Sequence, residues 1–148
     1  NRAYGERLLQ QMLCEPQKEK AAVMFLDVDN FKMANDRHGH LFGDEVLCRI
    51  ANEISKQFRI DDIVCRIGGD EFAVIMVDVG RELSQTVSDK IELINDTLSN
   101  PTDGLPAVSL SVGVAFTDRE NPGESIFKDA DQAMYRVKQN GKHDCGFC

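Results

Sequence analysis

Three stretches of the chain carry the apolar patterns of β-structure. Residues Ala21–Val28 form a partly β-branched apolar run that ends in carboxylates, which predicts a buried strand. Residues 63–67 and 72–77 are short apolar runs on either side of Gly68-Gly69-Asp70-Glu71, and this arrangement predicts a β-hairpin. Between residues 108 and 116, large apolar residues alternate strictly with Ser, Gly and Ala, which predicts a strand with one buried face.

Four segments carry apolar residues at helical spacing. The most regular covers residues 44–58, where Asp44, directly after Gly43, is the predicted N-cap. The others are a short first helix that stops at Pro16, a helix over residues 83–98 that Asn100-Pro101 closes, and a last helix over residues 126–137 that Gly141 stops. The apolar positions of the four helices are Leu8, Leu9, Met12 and Leu13; Val46, Ile50, Ile54 and Phe58; Leu83, Val87, Ile91, Ile94 and Leu98; and Ile126, Ala130, Ala133, Met134 and Val137.

The order of these elements is helix, strand, helix, hairpin, helix, strand, helix. Its core is the β-α-β-β-α-β unit, so we predict an α+β, ferredoxin-like fold with a mainly antiparallel central sheet flanked by helices. No internal repeat, low-complexity tract or Pro/Ser-rich linker divides the sequence, and residues 1–148 are predicted to form a single domain. In this topology the second strand of the hairpin, residues 72–77, pairs antiparallel with residues 21–28. The hairpin turn therefore lies beside the C-terminal end of residues 21–28.

The charge balance limits the partners. The chain of 148 residues carries 17 basic and 25 acidic side chains, a net charge of −8. This balance argues against long nucleic acids, because a phosphate backbone attracts proteins through a dense basic face and no dense basic run is present. Any phosphate that the protein binds must therefore meet a few placed cations or a metal ion.

The five cysteines favour a reducing compartment, because their number is odd and three of them lie in apolar runs. We therefore predict a cytoplasmic domain. The terminal Cys145-x-x-Cys148 lacks the second pair or the βαβ context of a metal or redox motif, and these are predicted to be ordinary tail thiols.

No apolar run reaches the roughly 18 residues of a membrane span, and no signal peptide is visible. The first residue is not Met, so we expect a longer parent protein, whose membrane anchoring stays open.

Four carboxylates, those of Asp27, Asp29, Asp70 and Glu71, converge at one end of the predicted sheet. Like charges held close raise each other's pKa, and a divalent cation resolves the conflict. Mg²⁺ prefers oxygen ligands, which one or two carboxylates, a backbone carbonyl such as that of Val28, and substrate phosphates would supply. Taken singly, each carboxylate fits an ordinary solvated loop position, whereas the set indicates a metal site.

A series of short motifs runs through essentially the whole chain: Asp27-Val28-Asp29-Asn30-Phe31-Lys32, Asn35-Asp36, Gly39-His40, Gly43-Asp44, Arg66-Ile67-Gly68-Gly69-Asp70-Glu71-Phe72, Ser111-Val112-Gly113-Val114-Ala115, Ala130-Asp131-x-Ala133-Met134-Tyr135-x-x-Lys138, and Gly141-Lys142. In its order and spacing the series resembles the GGDEF-type diguanylate cyclases. The resemblance implies a fold related to nucleotidyl cyclases and polymerase palms. It also implies condensation of two GTP molecules into cyclic di-GMP, with release of pyrophosphate.

The resemblance implies catalytic and metal-binding roles at the strand end and the turn. Asp27, the Val28 carbonyl and Asp70 would ligate Mg²⁺, with Mn²⁺ as the other candidate ion, and Glu71 would assist at the metal. Asp70 or Glu71 would take the proton of the attacking 3′-hydroxyl, and Lys32 would stabilise the charged transition state.

The resemblance also implies a nucleotide site. Asn35 and Asp44 would bind the guanine edge, because a carboxylate accepts from its two donors and an amide both donates and accepts. The other residues implied at the substrate are His40, Arg66, Gly68, Gly69, Lys138 and Lys142. Without the resemblance, the histidine would be an exposed loop residue and the lysines solvated cations at helix ends. The family usually has Arg where Lys142 stands, so a point charge replaces a bidentate contact there.

A regulatory site and a dimer are implied as well. Arg59 and Asp62 would bind cyclic di-GMP as an inhibitory product, and the ordinary alternative is a surface ion pair at a helix end. Because one domain holds one GTP, a two-fold product requires a homodimer, and an upstream sensor or signalling domain is expected in the same chain. The alternative function is a catalytically silent receptor for GTP or cyclic di-GMP, although silent members typically lose signature carboxylates or glycines that are present here.

Overall fold

The computed structural model describes Arg7 and residues 20–101, 104–142 and 144–148, and of His40 it describes the backbone alone. The predicted first helix, around residues 8–13, and Cys14 lie outside these residues. The described strands are β1 (Ala21–Val28), β2 (Ile63–Arg66), β3 (Glu71–Val77), β4 (Leu110–Phe116) and β5 (Cys145–Phe147). They form one sheet in the order β2-β3-β1-β4-β5, in which the β4–β5 pair is parallel and the other pairs are antiparallel. The predicted α+β class and the predicted hairpin are confirmed.

The described helices are α1 (Phe31–His38), α2 (His40–Gln57), α3 (Ser84–Ser99) and α4 (Ile126–Gln139), with a 3-10 turn at Arg81–Leu83. The larger core cluster contains apolar side chains of α2 and α3 on one face of the sheet. The smaller cluster contains side chains of α4 on the other face. The central strand, β1, is buried along its whole length between these two layers. A continuous apolar run is therefore what its position requires.

The sequence prediction for β4 is wrong in one respect, because both faces of the strand are buried. The small residues between the large apolar ones lie under α4 instead of facing solvent. A Cβ at Gly113 would fall far inside van der Waals contact with the Ala130 carbonyl oxygen and the Met134 amide nitrogen. Glycine is thus required at Gly113 by the close approach of the helix backbone.

The helix boundaries bring two corrections. Helix α2 begins at His40 with Gly39 as its N-cap, so the prediction of Asp44 as a helix N-cap is wrong and Asp44 lies inside the helix. Helix α1 was not predicted, because it is short and polar and none of its residues is buried. It begins after Asn30, whose φ of 56° is in the left-handed region that asparagine tolerates. The helices predicted over residues 83–98 and 126–137 are confirmed to within a few residues as α3 and α4.

The start of β4 is held by a buried polar side chain that the apolar pattern does not reveal. Asn95 on α3 is 2% exposed, and its amide nitrogen donates to the Leu110 carbonyl at 3.1 Å. Its amide oxygen accepts from the Leu110 amide at 2.8 Å. One side chain thus satisfies both backbone groups of Leu110, as a neighbouring strand would.

The polar tail did not predict the short strand β5, which begins at Cys145 and ends one residue before Cys148. Cys145 packs against the α2 and α3 side of the sheet, and burial raises the pKa of its thiol to about 12. The Cys148 thiol lies close to the Asp129 carboxylate, on the helix that packs against the other face of the sheet. The two thiols therefore do not share a face from which to hold one metal ion.

Gly113→Ala should lower the free energy of unfolding by about 3 kcal/mol, because the added methyl group can be accommodated only by moving the backbone of α4. Urea denaturation at equilibrium measures the change. Gly69→Ala is the matched control: its Cβ would have no heavy atom within 4 Å, so its stability should stay within about 0.5 kcal/mol of wild type. Equal stability of the two variants would contradict the close contact between α4 and β4.

Candidate active site

The end of β1 meets the hairpin turn, as the topology predicted. Asp27 lies in register with Glu71 on β3 and with Ser111 on β4. The Val28 amide donates to the Asp70 carbonyl at 3.1 Å, which joins the turn to the strand end. All of the predicted metal-site residues therefore lie at one end of the sheet.

The carboxyl groups of Asp27 and Asp70 lie close enough for Asp70 to disfavour the charged form of Asp27. Burial raises the pKa of Asp27 above its ordinary value, the Asp70 carboxylate raises it further, and the Lys138 ammonium partly opposes both effects. Lys138 donates to Oδ2 of Asp27. Oδ1 of the same carboxylate is buried and has no hydrogen-bond partner among the described residues. A cation beside the two carboxylates would remove this conflict.

The donor set fits Mg²⁺ better than a metal that needs many protein ligands. Within the described residues, no group of three or more His, Cys, Asp or Glu side chains is placed to hold an ion. An ion at this position would therefore be held by two carboxylates, a backbone carbonyl, water and substrate. Mg²⁺ in proteins usually has such a coordination, with few protein ligands and several from phosphates and water.

Asp29, which the sequence grouped with the metal carboxylates, has its own partners. Its two carboxylate oxygens accept from the hydroxyls of Ser109 and Ser111, each at 2.6 Å. These serines were not singled out from the sequence, where they appear only as small residues of an alternating strand. Their role becomes visible once the register places Ser111 beside Asp27.

The glycines of the turn are not required by the turn itself. Neither Gly68 nor Gly69 has a positive φ, and a Cβ at Gly69 would meet no heavy atom within 4 Å. The Arg66 guanidinium holds the turn from within, donating to the Gly68 carbonyl at 3.1 Å and to the Gly69 carbonyl at 2.8 Å. The open space beside the backbone is where a phosphate or a base could approach.

The predicted phosphate-binding lysines are placed around the strand end. Lys138 lies on Asp27, and both line a cavity of about 370 Å³ with Asp131, Gln132, Met134 and Tyr135. Lys142 donates to the Asn30 side chain at 2.8 Å, at the start of α1. Lys32 is exposed on the first turn of α1.

The predicted guanine-binding residues lie where α1 meets α2. A Cβ at Gly43 would collide with the Asn35 side chain, so glycine at that position lets the two helices come together around Asn35. Asp44 is exposed on α2 and, with Arg66, lines a cavity of about 310 Å³ between that helix and the hairpin. The side chain of His40 lies outside what the structure describes.

Arg59 and Asp62, the predicted product site, form a tight turn before β2. The Asp62 side chain is 4% exposed, and its oxygens accept from the Arg59 amide at 2.9 Å and the Val77 amide at 3.2 Å. The Arg59 guanidinium donates to the Val77 carbonyl at 2.5 Å, and its side chain is 58% exposed. Asp62 therefore has a structural role in this turn, whereas Arg59 keeps a surface that a ligand could reach.

Fold and site together define the class, a domain with the palm-like fold of nucleotidyl cyclases that carries paired carboxylates at the end of its central strand. The sequence pattern of the family described as "Diguanylate cyclase, GGDEF domain" matches residues 1–144. The chain belongs to this family.

Among the described residues, no helix is both long and apolar enough to cross a membrane.

Relatives and solved structures agree with this assignment. The chain is 35% identical over 148 residues to the "Probable diguanylate cyclase DgcT" of Escherichia coli, covering 97% of this chain and 32% of that protein. The GGDEF domain of TpbB from Pseudomonas aeruginosa superimposes with a TM-score of 0.81 at 33% identity, covering 100% of this chain and 95% of that one. The GGDEF domain of DgcB from Caulobacter crescentus, solved in complex with c-di-GMP, gives 0.79 at 27% identity, covering 99% and 90%. The chain spans about a third of the length of the curated relatives that it matches.

Asp27→Asn should stabilise the metal-free protein at high pH. The pKa of Asp27 is raised above 3.8 in the folded state, so the unfolded chain loses this proton first as the pH rises. Wild-type stability therefore falls as the pH rises from 3.8 through the folded pKa, and the variant lacks that loss. Urea denaturation between pH 4 and pH 8 with chelator should show a difference that grows with pH and then levels off.

Asp96→Asn, which removes an exposed carboxylate on α3, controls for the change in net charge. A stability difference for Asp27→Asn that shrinks with rising pH would contradict the unfavourable carboxylate pair.

Proposed function

We propose that this domain is a diguanylate cyclase that condenses two GTP molecules into cyclic di-GMP. In each half-reaction the 3′-hydroxyl oxygen of one GTP forms a bond to the α-phosphorus of the other. The bond from that phosphorus to the bridging oxygen breaks, pyrophosphate leaves with the electron pair, and the hydroxyl proton passes to a carboxylate. Two such steps close the ring and release two pyrophosphates. The observation that carries the proposal is the buried Asp27 carboxylate, whose charged form the neighbouring Asp70 carboxylate disfavours, beside the glycine turn.

Asp27, Asp70 and the Val28 carbonyl would hold a divalent ion, Mg²⁺ or Mn²⁺. When bound, such an ion lowers the pKa of the hydroxyl and neutralises charge on the phosphates. Glu71 lies in register with Asp27 and would assist at the ion, and either Asp70 or Glu71 would take the proton.

The rest of the chain would supply positioning and positive charge, which are the main contributions of a protein to phosphoryl-type transfer. Lys32 would stabilise the charged transition state, and Lys138 and Lys142 would contact the phosphates. The turn at Gly68 and Gly69, braced by Arg66, leaves room for them. The guanine would lie against Asn35, His40 and Asp44 at the meeting of α1 and α2.

A second copy of the domain is part of the proposal. Each domain holds one set of carboxylates and therefore one GTP, so the two hydroxyls reach the two α-phosphates only when two domains face each other. The longer relatives support a sensor or signalling region in the parent protein. Use of GTP requires the domain to face the cytoplasm.

Asp70→Ala should reduce formation of cyclic di-GMP by about 10²- to 10³-fold, because it removes charge placed against the reacting groups. The assay incubates the concentrated protein with GTP and Mg²⁺ and detects the product by mass spectrometry. Asp96→Ala is the matched control, because it removes an exposed carboxylate on α3 that has no assigned role in the site.

Normal turnover by Asp70→Ala would show that the assigned site is not the catalytic one. If the wild type makes no product but binds cyclic di-GMP tightly, the domain is instead a silent receptor.

Arg59→Ala should raise the cyclic di-GMP concentration for half-maximal inhibition by about tenfold, because it removes one charged hydrogen-bonding partner of the bound product. Inhibition is measured relative to each variant's own uninhibited rate. Asp61→Asn, an exposed neighbour, is the control. Asp62→Ala is a poorer test, since losing its bonds to the Arg59 and Val77 amides would also weaken the fold. Unchanged inhibition in Arg59→Ala would place the product site elsewhere.

A further inference from the structure

Asp29 follows Asp27 by two positions, yet its carboxylate binds to β4 instead of joining the carboxylate pair. It accepts from the Ser109 hydroxyl and the Ser111 hydroxyl at 2.6 Å each. The Asp29 amide also donates to the Ser109 carbonyl at 3.0 Å. Three hydrogen bonds thus fix this residue to the start of one neighbouring strand.

The segment that Asp29 contacts, residues 109–111, is itself held in place by hydrogen bonds. Leu110 lies between the two serines, and both of its backbone groups are bonded to the buried side chain of Asn95. Ser111 is fully buried. The two hydroxyls therefore have fixed positions relative to α3 and the core before any ligand is present.

The residues next to Asp29 are those proposed to hold the ion. The Val28 carbonyl belongs to the peptide group that ends in the Asp29 amide, so the bond from that amide to Ser109 sets the orientation of the carbonyl. On its other side, Val28 is bonded through its amide to Asp70. The chain leaves the direction of β1 directly afterwards, at Asn30, whose φ of 56° is in the left-handed region.

We propose that Asp29 is a positioning residue. Its hydrogen bonds with Ser109 and Ser111 hold the Val28 carbonyl and the Asp27 carboxylate in place for a divalent ion. This inference rests on the proposed function only in the identity of the ion site. We assign Asp29 to positioning because its carboxylate is directed toward β4, where each oxygen accepts a short hydrogen bond from a serine hydroxyl.

The test measures metal binding directly, on the full chain. Free Mn²⁺ is followed by electron paramagnetic resonance during titration in the presence of 3′-deoxy-GTP, which lacks the attacking hydroxyl. Asp29→Ala should raise the Kd for Mn²⁺ by about 10- to 100-fold, the usual effect of losing an outer-shell partner. Ser109→Ala should give part of this loss, and Ser109→Thr, which keeps the hydroxyl, should restore wild-type binding.

Asp118→Asn is the matched control. This carboxylate accepts from the Arg81 amide at 3.1 Å, beyond the opposite end of β4, so it tests loss of a structural bond away from the ion site. Thermal unfolding without metal is measured for every variant. A Kd increase for Asp29→Ala no larger than that for Asp118→Asn, or one that merely follows loss of stability, would overturn the proposal.

Failure of the proposed function gives a different result. A wild type that binds Mn²⁺ but makes no cyclic di-GMP would refute the cyclase, while the Kd values would still decide the role of Asp29. A wild type that binds no Mn²⁺ under these conditions would refute the positioning role, because there would be no ion site to position.

Discussion

Two carboxylates held close together at the end of the central strand oppose folding, and the rest of the site is arranged around that constraint. Asp27 lies at the end of the central strand, where burial disfavours its charged form and Asp70 adds repulsion. The strand is buried on both faces, and the turn is bonded to Val28, so the backbone holds the two residues side by side. The core therefore maintains an unfavourable arrangement that a bound cation would make favourable.

The close packing of α4 on β4 determines whether the ammonium group of Lys138 can reach Asp27. Gly113 lets the helix backbone lie directly on β4 at Ala130 and Met134. Lys138 is one turn beyond Met134 on the same face of the helix, so the close packing carries its ammonium to Asp27. A feature that looks like ordinary packing thus determines the electrostatics of the site.

Much of the fold could be predicted from the sequence, because β1, the hairpin, α3 and α4 each carry an apolar pattern of the right period. The polar helix α1 could not, since it buries none of its residues and leaves no such pattern. Asp44 looked like an N-cap because the first turn of α2 has few core positions. At the site, the convergence of Asp27 and Asp70 followed from topology alone. The partners of Asp29 depended on register and side-chain direction, which local patterns do not contain.

The contrast between Asp27 and Asp29 shows why residue type alone did not separate a ligand from its support. Each Asp29 oxygen accepts a hydrogen bond of 2.6 Å from a serine hydroxyl, which directs this carboxylate toward β4. Asp27 keeps an oxygen with no hydrogen-bond partner among the described residues. The supporting carboxylate therefore contributes twice, because it fixes the strand end through geometry and adds negative potential two residues from the pair. An amide in place of the Asp29 carboxylate could keep part of the hydrogen-bonding geometry but none of the negative charge. Part of the net negative charge of the chain therefore serves this site.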